Sequence, residues 1–172
     1  MSRQFDHFLK SVQNRAYAQA ECAVGDRDEA LDIVQDSMMK LAKKYMDKPE
    51  AEWPMLFQRI LQNKIRDWYR KQKVRRIIFW WEQYQSDDQS VPELLGTERS
   101  SPTEEVLSDQ ALDRLDAEVK SLPLRQQQVF MLRAFWGHSI EETAGILDCT
   151  VGTVKTHYSR AINTLRSNME SN

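Results

Sequence analysis

Residues 139–166, in the last quarter of the chain, have the pattern of two short helices joined by a tight turn. Ser139 precedes the first helix and Glu142 lies three residues later, which is the spacing of a capping box. Thr150 can cap the second helix with its hydroxyl group. An apolar stripe at i, i+4, i+7 and i+11 marks the buried face of that helix, and it consists of Val154, Tyr158, Ala161 and Leu165. This pattern predicts a helix-turn-helix, whose second helix enters the major groove of DNA.

The opposite face of the second helix is rich in hydrogen-bond donors, which suit base edges and phosphates. It consists of Thr153, Lys155, Thr156, Ser159, Arg160 and Asn163. His157 adjoins this face and is equally consistent with a DNA contact and with a surface position. The sequence therefore predicts that this end of the chain binds DNA.

The rest of the chain is helical in pattern almost throughout, with only 5 Gly and 5 Pro in 172 residues and no β-strand alternation. We predict an all-α fold of two small helical domains, residues 1–80 and 112–172, the second containing the helix-turn-helix. Residues 81–111 join them as a flexible acidic linker, because much of this segment is rich in Ser, Asp, Gln, Pro and Glu.

Helical periodicity continues through the first half of the chain. One helix follows Asp26, which can cap it, and runs to about Met46. Its predicted inner stripe is Leu31, Val34, Met38, Leu41 and Tyr45. The next helix runs from about Pro54 to about Arg76. It is followed by five consecutive apolar residues, Ile77–Trp81, which cannot all lie on one helix face, so either the first domain or a partner must cover some of them.

The net charge of −2 hides two blocks of opposite sign. Residues 59–76 contain eight Lys or Arg and one Asp, whereas residues 87–118 contain ten acidic residues and two Arg. Trp68 and Tyr69 lie within the basic block. Cations neutralise phosphates and aromatic rings stack on unpaired bases, so the basic block is a second candidate DNA-binding segment.

Several functional classes lack any support in the sequence. No run of about 18 apolar residues suggests a membrane span, so we expect no membrane insertion. Cys22 and Cys149 are isolated, which is typical of a reducing cytoplasm and gives no metal-like spacing. No phosphate-binding glycine loop or nucleophile elbow is present, so we expect neither a cofactor nor catalysis.

Three segments in this order resemble the bacterial RNA polymerase sigma factors of the extracytoplasmic-function (ECF) type. Residues 25–37 are similar to the segment that binds core polymerase in that family. Residues 56–63, with Asp67 and Arg70, are similar to its promoter-melting helix. The third match, to region four of the family, comprises Leu122-Pro123, Leu132-Arg133, residues 149–160 and Leu165-Arg166.

The resemblance implies a promoter-specificity subunit, with a region 2-like domain over residues 1–80 and a region 4-like domain over residues 112–172. The implied polymerase-binding residues are Leu31, Asp32, Gln35 and Asp36. Those for the −10 element and for melting are Trp53, Asn63, Lys64, Asp67 and Arg70, although Trp53 also fits a packing role. Those for the −35 element are Arg133, Thr153, Lys155, Thr156, Ser159 and Arg160. The implied partners are core RNA polymerase, promoter DNA and, as an optional inhibitor, an anti-sigma factor.

A two-domain helix-turn-helix regulator that is not a polymerase subunit is the main alternative. Residues 153–157 also fit the DNA-binding module of a response regulator. Such a regulator needs an α/β receiver domain, and the first half of the chain shows none of the apolar runs of parallel strands. A helical interaction protein is a further alternative, which the donor-rich second helix disfavours.

Overall fold

A computed structural model of the chain describes residues 3–85 and 107–171. Within these ranges the fold is all-α, as predicted. The helices are α1 (Arg3–Val24), α2 (Arg27–Tyr45), α3 (Trp53–Gln85), α4 (Leu107–Ser121), α5 (Leu124–Phe130), α6 (Ile140–Leu147) and α7 (Val151–Glu170). A 3₁₀ turn over Glu50–Glu52 precedes α3, and a π-helical segment over Met131–Phe135 follows α5.

Helix α3 is 33 residues long and continues well beyond the predicted end at Arg76. Neither Gly nor Pro occurs between residues 55 and 91, so nothing in the sequence stops the helix there. Residues 81–85 and 107–111, which the sequence assigns to the linker, belong to α3 and α4. The remainder of the predicted linker lies outside the described residues.

Ile77 and Ile78 are both more than half exposed on α3, so of the two alternatives for the apolar run, cover by the first domain does not apply to these two residues. The side chains of residues 79–81 lie outside the description.

Helices α1, α2 and α3 share the larger core. It contains Phe5, Ala20, Ile33, Val34, Leu41, Phe57, Leu61 and Ile65 among its buried side chains. The predicted inner stripe of α2 is wrong at Leu31, which is 40% exposed. The helix instead buries Ala30, Ile33 and Ser37 alongside Val34 and Leu41, so the true inner face is rotated away from Leu31.

The helix-turn-helix forms as predicted, from local signals. Ser139 Oγ accepts a hydrogen bond from Glu142 N at 3.0 Å, and Glu142 Oε2 accepts one from Ser139 N at 2.8 Å, which completes the capping box. Thr150 Oγ1 accepts from Thr153 N at 3.1 Å. Between the helices, Asp148 adopts the left-handed conformation with φ 53°, which gives the tight turn.

The C-terminal helices pack directly against the N-terminal ones. Leu124 and Trp136 contact the core of α1–α3. In return, Cys22 of α1 is 7% exposed and lies in a cluster with Val119, Leu122 and Met131. Helix α6 crosses α3, so the first helix of the helix-turn-helix rests on the helix that carries the basic block.

Candidate nucleic-acid and partner interfaces

The outer face of α2 presents the predicted polymerase-binding group. Leu31, Asp32, Gln35 and Asp36 are all exposed. Met39 lies one turn beyond Gln35 and is 53% exposed, so the face has two apolar side chains beside its carboxylates. Interfaces commonly combine an apolar centre with a charged surround. The sequence reasoning missed Met39, although its i+4 spacing from Gln35 places it on the same face.

Helix α3 presents the predicted −10 residues along one side. Asn63, Asp67 and Arg70 are exposed, and Lys64 is half-buried. Asn63 Oδ1 accepts a hydrogen bond from Arg66 Nη2 at 2.9 Å, and Arg70 Nη1 lies 3.7 Å from Asp67 Oδ1. Both contacts join side chains at the surface of α3, so the polar groups stay accessible to solvent or to a ligand.

The two predicted surfaces meet in a cleft between α2 and α3 with a volume of about 500 Å³. Lys64 Nζ donates to Asp36 Oδ2 at 3.0 Å across this cleft. Arg70, Lys71 and Arg75 also line it. The structure thus joins a candidate polymerase-binding carboxylate to a candidate DNA-binding amine, which sequence spacing alone does not indicate.

Trp53 occupies the core and not the surface. It is 4% exposed, its ring packs edge-on against Phe5 at 4.9 Å, and its Nε1 donates to Tyr45 O at 3.2 Å. Of the two roles considered for this residue, packing is the one that its surroundings support. A contact with a flipped base would require the indole to leave this environment.

The predicted face of α7 is open to solvent. Thr153, Lys155, Thr156, Ser159 and Arg160 are all exposed. Thr156 Oγ1 donates to Gly152 O at 3.0 Å, and Thr153 Oγ1 lies 2.9 Å from Thr150 Oγ1. Lys155 and Ser159 border a shallow groove of about 300 Å³ with Ile140 and Tyr158. The arrangement can present donors to a DNA groove while Val154 and Leu165 anchor the helix.

Arg133, a predicted −35 residue, is half-buried and engaged within the protein. Its Nη1 donates to His138 O at 2.6 Å, and its guanidinium carbon lies 5.4 Å from the centre of the Tyr158 ring. Arg133 therefore connects the turn before α6 to the recognition helix α7. These two contacts help to orient that helix.

His157 lies in a positively charged neighbourhood. Burial lowers its pKa, and the nearby charges of Arg160 and Arg125 lower it further. Arg125 of α5 thus lies close enough to the recognition helix for its charge to act on His157. The sequence reasoning missed Arg125 because its neighbours on α7 are more than 30 residues away in the chain.

The described ranges contain no cluster of His, Cys, Asp and Glu that could hold a metal ion. None of their helices is both long and apolar enough to cross a membrane.

The fold and its exposed recognition helix define an all-α, helix-turn-helix DNA-binding protein, and comparisons with known proteins refine this class. The family "Sigma-70, region 4" matches residues 112–165. The RNA polymerase sigma factor SigV of Bacillus subtilis (strain 168) is 31% identical over 154 residues, covering 87% of this chain and 81% of SigV.

Two solved structures have a fold similar to that of this chain. The sigma factor RpoE from Bartonella quintana, in complex with the anti-sigma factor NepR, has a TM-score of 0.65 and 26% identity, and the match covers 98% of each chain. CnrH, in complex with the cytosolic domain of CnrY, has a TM-score of 0.64 at 21% identity and covers 98% of this chain and 88% of CnrH, which supports the fold. The chain belongs to the ECF family of RNA polymerase sigma factors. It is a promoter-specificity subunit that works with core RNA polymerase and promoter DNA.

Proposed function

We propose a division of labour in which α2 binds core polymerase, α3 contacts the −10 element and α7 contacts the −35 element. The polymerase-binding residues are Leu31, Asp32, Gln35 and Asp36. The −10 residues are Asn63, Lys64, Asp67 and Arg70. The observation that carries the proposal is that α7 leaves Lys155, Thr156, Ser159 and Arg160 exposed while it is anchored by a buried opposite face.

The protein has no chemical step of its own in this scheme. Strand opening is favoured because the melted promoter is bound more tightly than the duplex, so binding shifts the population. Residues 1–80 and 112–172 act as the two DNA-contacting domains, and the protein acts in the cytoplasm. Its similarity to RpoE, which was solved with an anti-sigma factor, supports an anti-sigma factor as a further partner.

Transcription by sigma-free core polymerase tests the proposal directly. Purified chain added to core polymerase is expected to give transcripts with defined start sites, whose upstream sequences define the two promoter elements. Absence of specific transcripts would exclude the sigma role.

Alanine variants of the recognition helix test the −35 assignment in titrations of promoter DNA with core polymerase and the purified chain. Lys155→Ala or Arg160→Ala is expected to weaken promoter binding by about 1–3 kcal/mol at a base-reading position, with relaxed preference there. At a phosphate-contacting position, all sequences weaken alike and the salt dependence falls by about one unit of slope. Lys44→Ala, an exposed charge change on α2, is the matched control. Unchanged affinity, preference and salt dependence in both α7 variants would exclude this face.

A further inference from the structure

The C-terminal part of α3 exposes an apolar stripe to solvent. Val74, Ile77 and Ile78 are each more than half exposed. Their spacing of i, i+3 and i+4 places all three on one face of the helix. We call these three residues the α3 stripe. Between residues 66 and 78 no side chain of α3 is buried, so the stripe belongs to a part of the helix that lies outside the core.

Cations border the α3 stripe on both edges. With about 100° of rotation per residue, Lys71 and Arg75 lie beside one edge and Lys73 lies beside the other. Residues 68–81 contain no Asp or Glu, so the stripe lies within a purely cationic stretch of the chain. The exposed cations of this stretch are Arg70, Lys71, Lys73, Arg75 and Arg76.

A shallow depression on this surface combines both chemistries. It has a volume of about 330 Å³ and is lined by Arg70, Lys71, Val74 and Arg75. Arg and Lys side chains form charge-assisted hydrogen bonds with phosphate oxygens, and Val74 offers an apolar contact beside them. The depression therefore suits a phosphate group that is attached to something apolar.

Charge and apolarity together select the kind of partner. The phosphates of duplex DNA would neutralise the cations but would leave the α3 stripe in water. A second copy of this chain could cover the stripe, but it would bring the five cations of each copy together. The surface of an anionic phospholipid bilayer satisfies both requirements, because its phosphates lie directly above the acyl chains.

The amino-acid sequence beyond the stripe has the composition of a membrane-surface helix. Phe79, Trp80 and Trp81 follow Ile78 directly. Trp is enriched where proteins meet the headgroup region of a bilayer, and interfacial helices combine Lys and Arg with Trp, Phe and aliphatic residues. Clusters of four to eight Lys or Arg on an amphipathic helix are typical of binding to anionic lipids.

We propose that residues 70–78 of α3 are a peripheral binding site for an anionic phospholipid surface. The helix lies along the membrane plane, with the α3 stripe at the acyl boundary and the flanking cations on lipid phosphates. It rests on the bilayer without crossing it. This binding is independent of the proposed function.

A consequence of the site does rest on the proposed function. Asn63, Asp67 and Arg70 of the candidate −10 group precede Val74 and Ile77 at helical spacing, so they share one side of α3 with the stripe. A chain whose α3 lies on a membrane therefore cannot place that side against the −10 element. Lipid and promoter compete for the same helix.

Binding of the full chain to vesicles tests the site. The probe is a vesicle of phosphatidylglycerol and phosphatidylcholine in equal parts, and binding is measured by co-sedimentation. The parent chain is expected to bind it at least about tenfold more tightly than a vesicle of phosphatidylcholine alone. Equal binding to the two vesicles, or no binding to either, would overturn the proposal.

The double variant Ile77→Gln with Ile78→Gln tests the apolar contribution. It is expected to weaken binding to the mixed vesicle at least about tenfold, because two aliphatic side chains no longer leave water. Both positions are exposed and Gln favours a helix, so the thermal melt should match that of the parent. Leu112→Gln, at an isolated exposed apolar residue on α4, is the matched control and should bind as the parent does.

The double variant Lys71→Gln with Lys73→Gln tests the charge contribution. It is expected to weaken binding about 25-fold, since each cation near an anionic surface strengthens binding about fivefold. Lys43→Gln with Lys44→Gln removes two exposed charges from α2 and should bind the mixed vesicle normally.

The same variants distinguish the other partners. If the Lys variant loses vesicle binding and the Ile variant keeps it, the site is a general polyanion site and the lipid proposal is overturned. If the parent dimerises without vesicles and the Ile variant does not, the stripe is an interface between copies, which also overturns it.

Transcription by core polymerase tests the competition. Mixed vesicles are expected to reduce transcription with limiting amounts of the parent and to reduce it less with the Ile77→Gln, Ile78→Gln variant. Equal reduction in both would overturn the competition. Failure of the proposed sigma role appears differently, as absent transcription from the parent and every variant without vesicles, while vesicle binding is unaffected.

Discussion

Asp36 and Lys64 meet across the α2–α3 cleft at 3.0 Å, so one residue pair links two candidate surfaces. The Asp36 side chain is 59% exposed and that of Lys64 is 32% exposed. Exposed ion pairs contribute little to folding stability, so the charges of Asp36 and Lys64 matter more for binding a partner than for holding the fold. Engagement of Asp36 by a basic partner would free the Lys64 amine for a phosphate.

Asp36→Arg is expected to weaken the affinity for core polymerase and to change the free energy of unfolding by less than about 0.5 kcal/mol. Affinity is measured by titration without DNA, alongside a thermal melt. Lys64→Ala breaks the same ion pair but keeps the carboxylate, so it serves as the control and should bind core polymerase normally. Normal binding by Asp36→Arg, with an unchanged melt, would remove this residue from the interface.

His157 makes the folding stability of the protein depend on pH, and the direction of its pKa shift gives the sign of that dependence. Its native pKa is lowered by burial, then by Arg160 and Arg125, so the unfolded chain takes up a proton more readily than the folded one. The contribution of His157 to the free energy of unfolding is therefore fully present at neutral pH. It falls as the pH drops below about 6.5, the pKa of histidine in the unfolded chain.

The urea midpoint of His157→Asn is expected to fall less between pH 7.5 and pH 5.5 than that of the parent. His7→Asn, at an exposed site on α1, is the matched control and should follow the parent curve. If the urea midpoints of the parent and of His157→Asn fall equally between these pH values, the pKa of His157 is not lowered in the folded protein.

At the scale of single helices, the helix-turn-helix depends on its caps. A backbone hydrogen bond from Ser139 lowers the pKa of Glu142, and the His138 imidazole nearby lowers it further. The contribution of this carboxylate is present above its unfolded pKa near 4.5 and is lost as the pH falls through the lower native value. The capping box thus works at neutral pH and weakens in acid.

Ser139→Ala is expected to lower the free energy of unfolding by about 1 kcal/mol, because the hydroxyl no longer accepts from Glu142 N. Urea denaturation at neutral pH measures the change. Ser159→Ala, at an exposed position within α7, should change it by less than about 0.5 kcal/mol. Equal effects of the two substitutions would show that the cap does not stabilise the fold.

Sequence reasoning succeeds for features that are local in the chain. Ser139, Thr150 and Asp26 all cap helices where predicted, since each signal lies within four consecutive residues. It gave no sign that Gln58 and Gln62 of α3 are buried. Gln128 of α5 contacts Gln62, and no periodicity within α3 indicates that a C-terminal helix packs there.

At the scale of the whole molecule, the candidate site was predictable as separate surfaces but not as an arrangement. The exposed α2 and α7 faces follow from helical spacing and from the family resemblance. The Asp36–Lys64 pair and the approach of Arg125 to α7 depend on how helices cross, which sequence spacing does not determine. The same limit applies to the crossing of α6 and α3 at Gly145.

The π-helical segment over Met131–Phe135 sets the direction of Trp136. Trp136 N donates to Met131 O at 2.9 Å, five residues back, so this turn holds one residue more than an α-helical turn. If one residue of this segment were deleted, the turn would become α-helical, and the hydrogen bond from Trp136 N to Met131 O would span four residues instead of five. The Trp136 indole would keep its direction toward Gln19 of α1, because the deleted residue is the extra one that the wider turn accommodates. The same deletion in an ordinary α-helical turn would rotate everything that follows by about 100° about the helix axis. The chain can therefore lose a residue at this turn while the helices that read DNA keep their orientation.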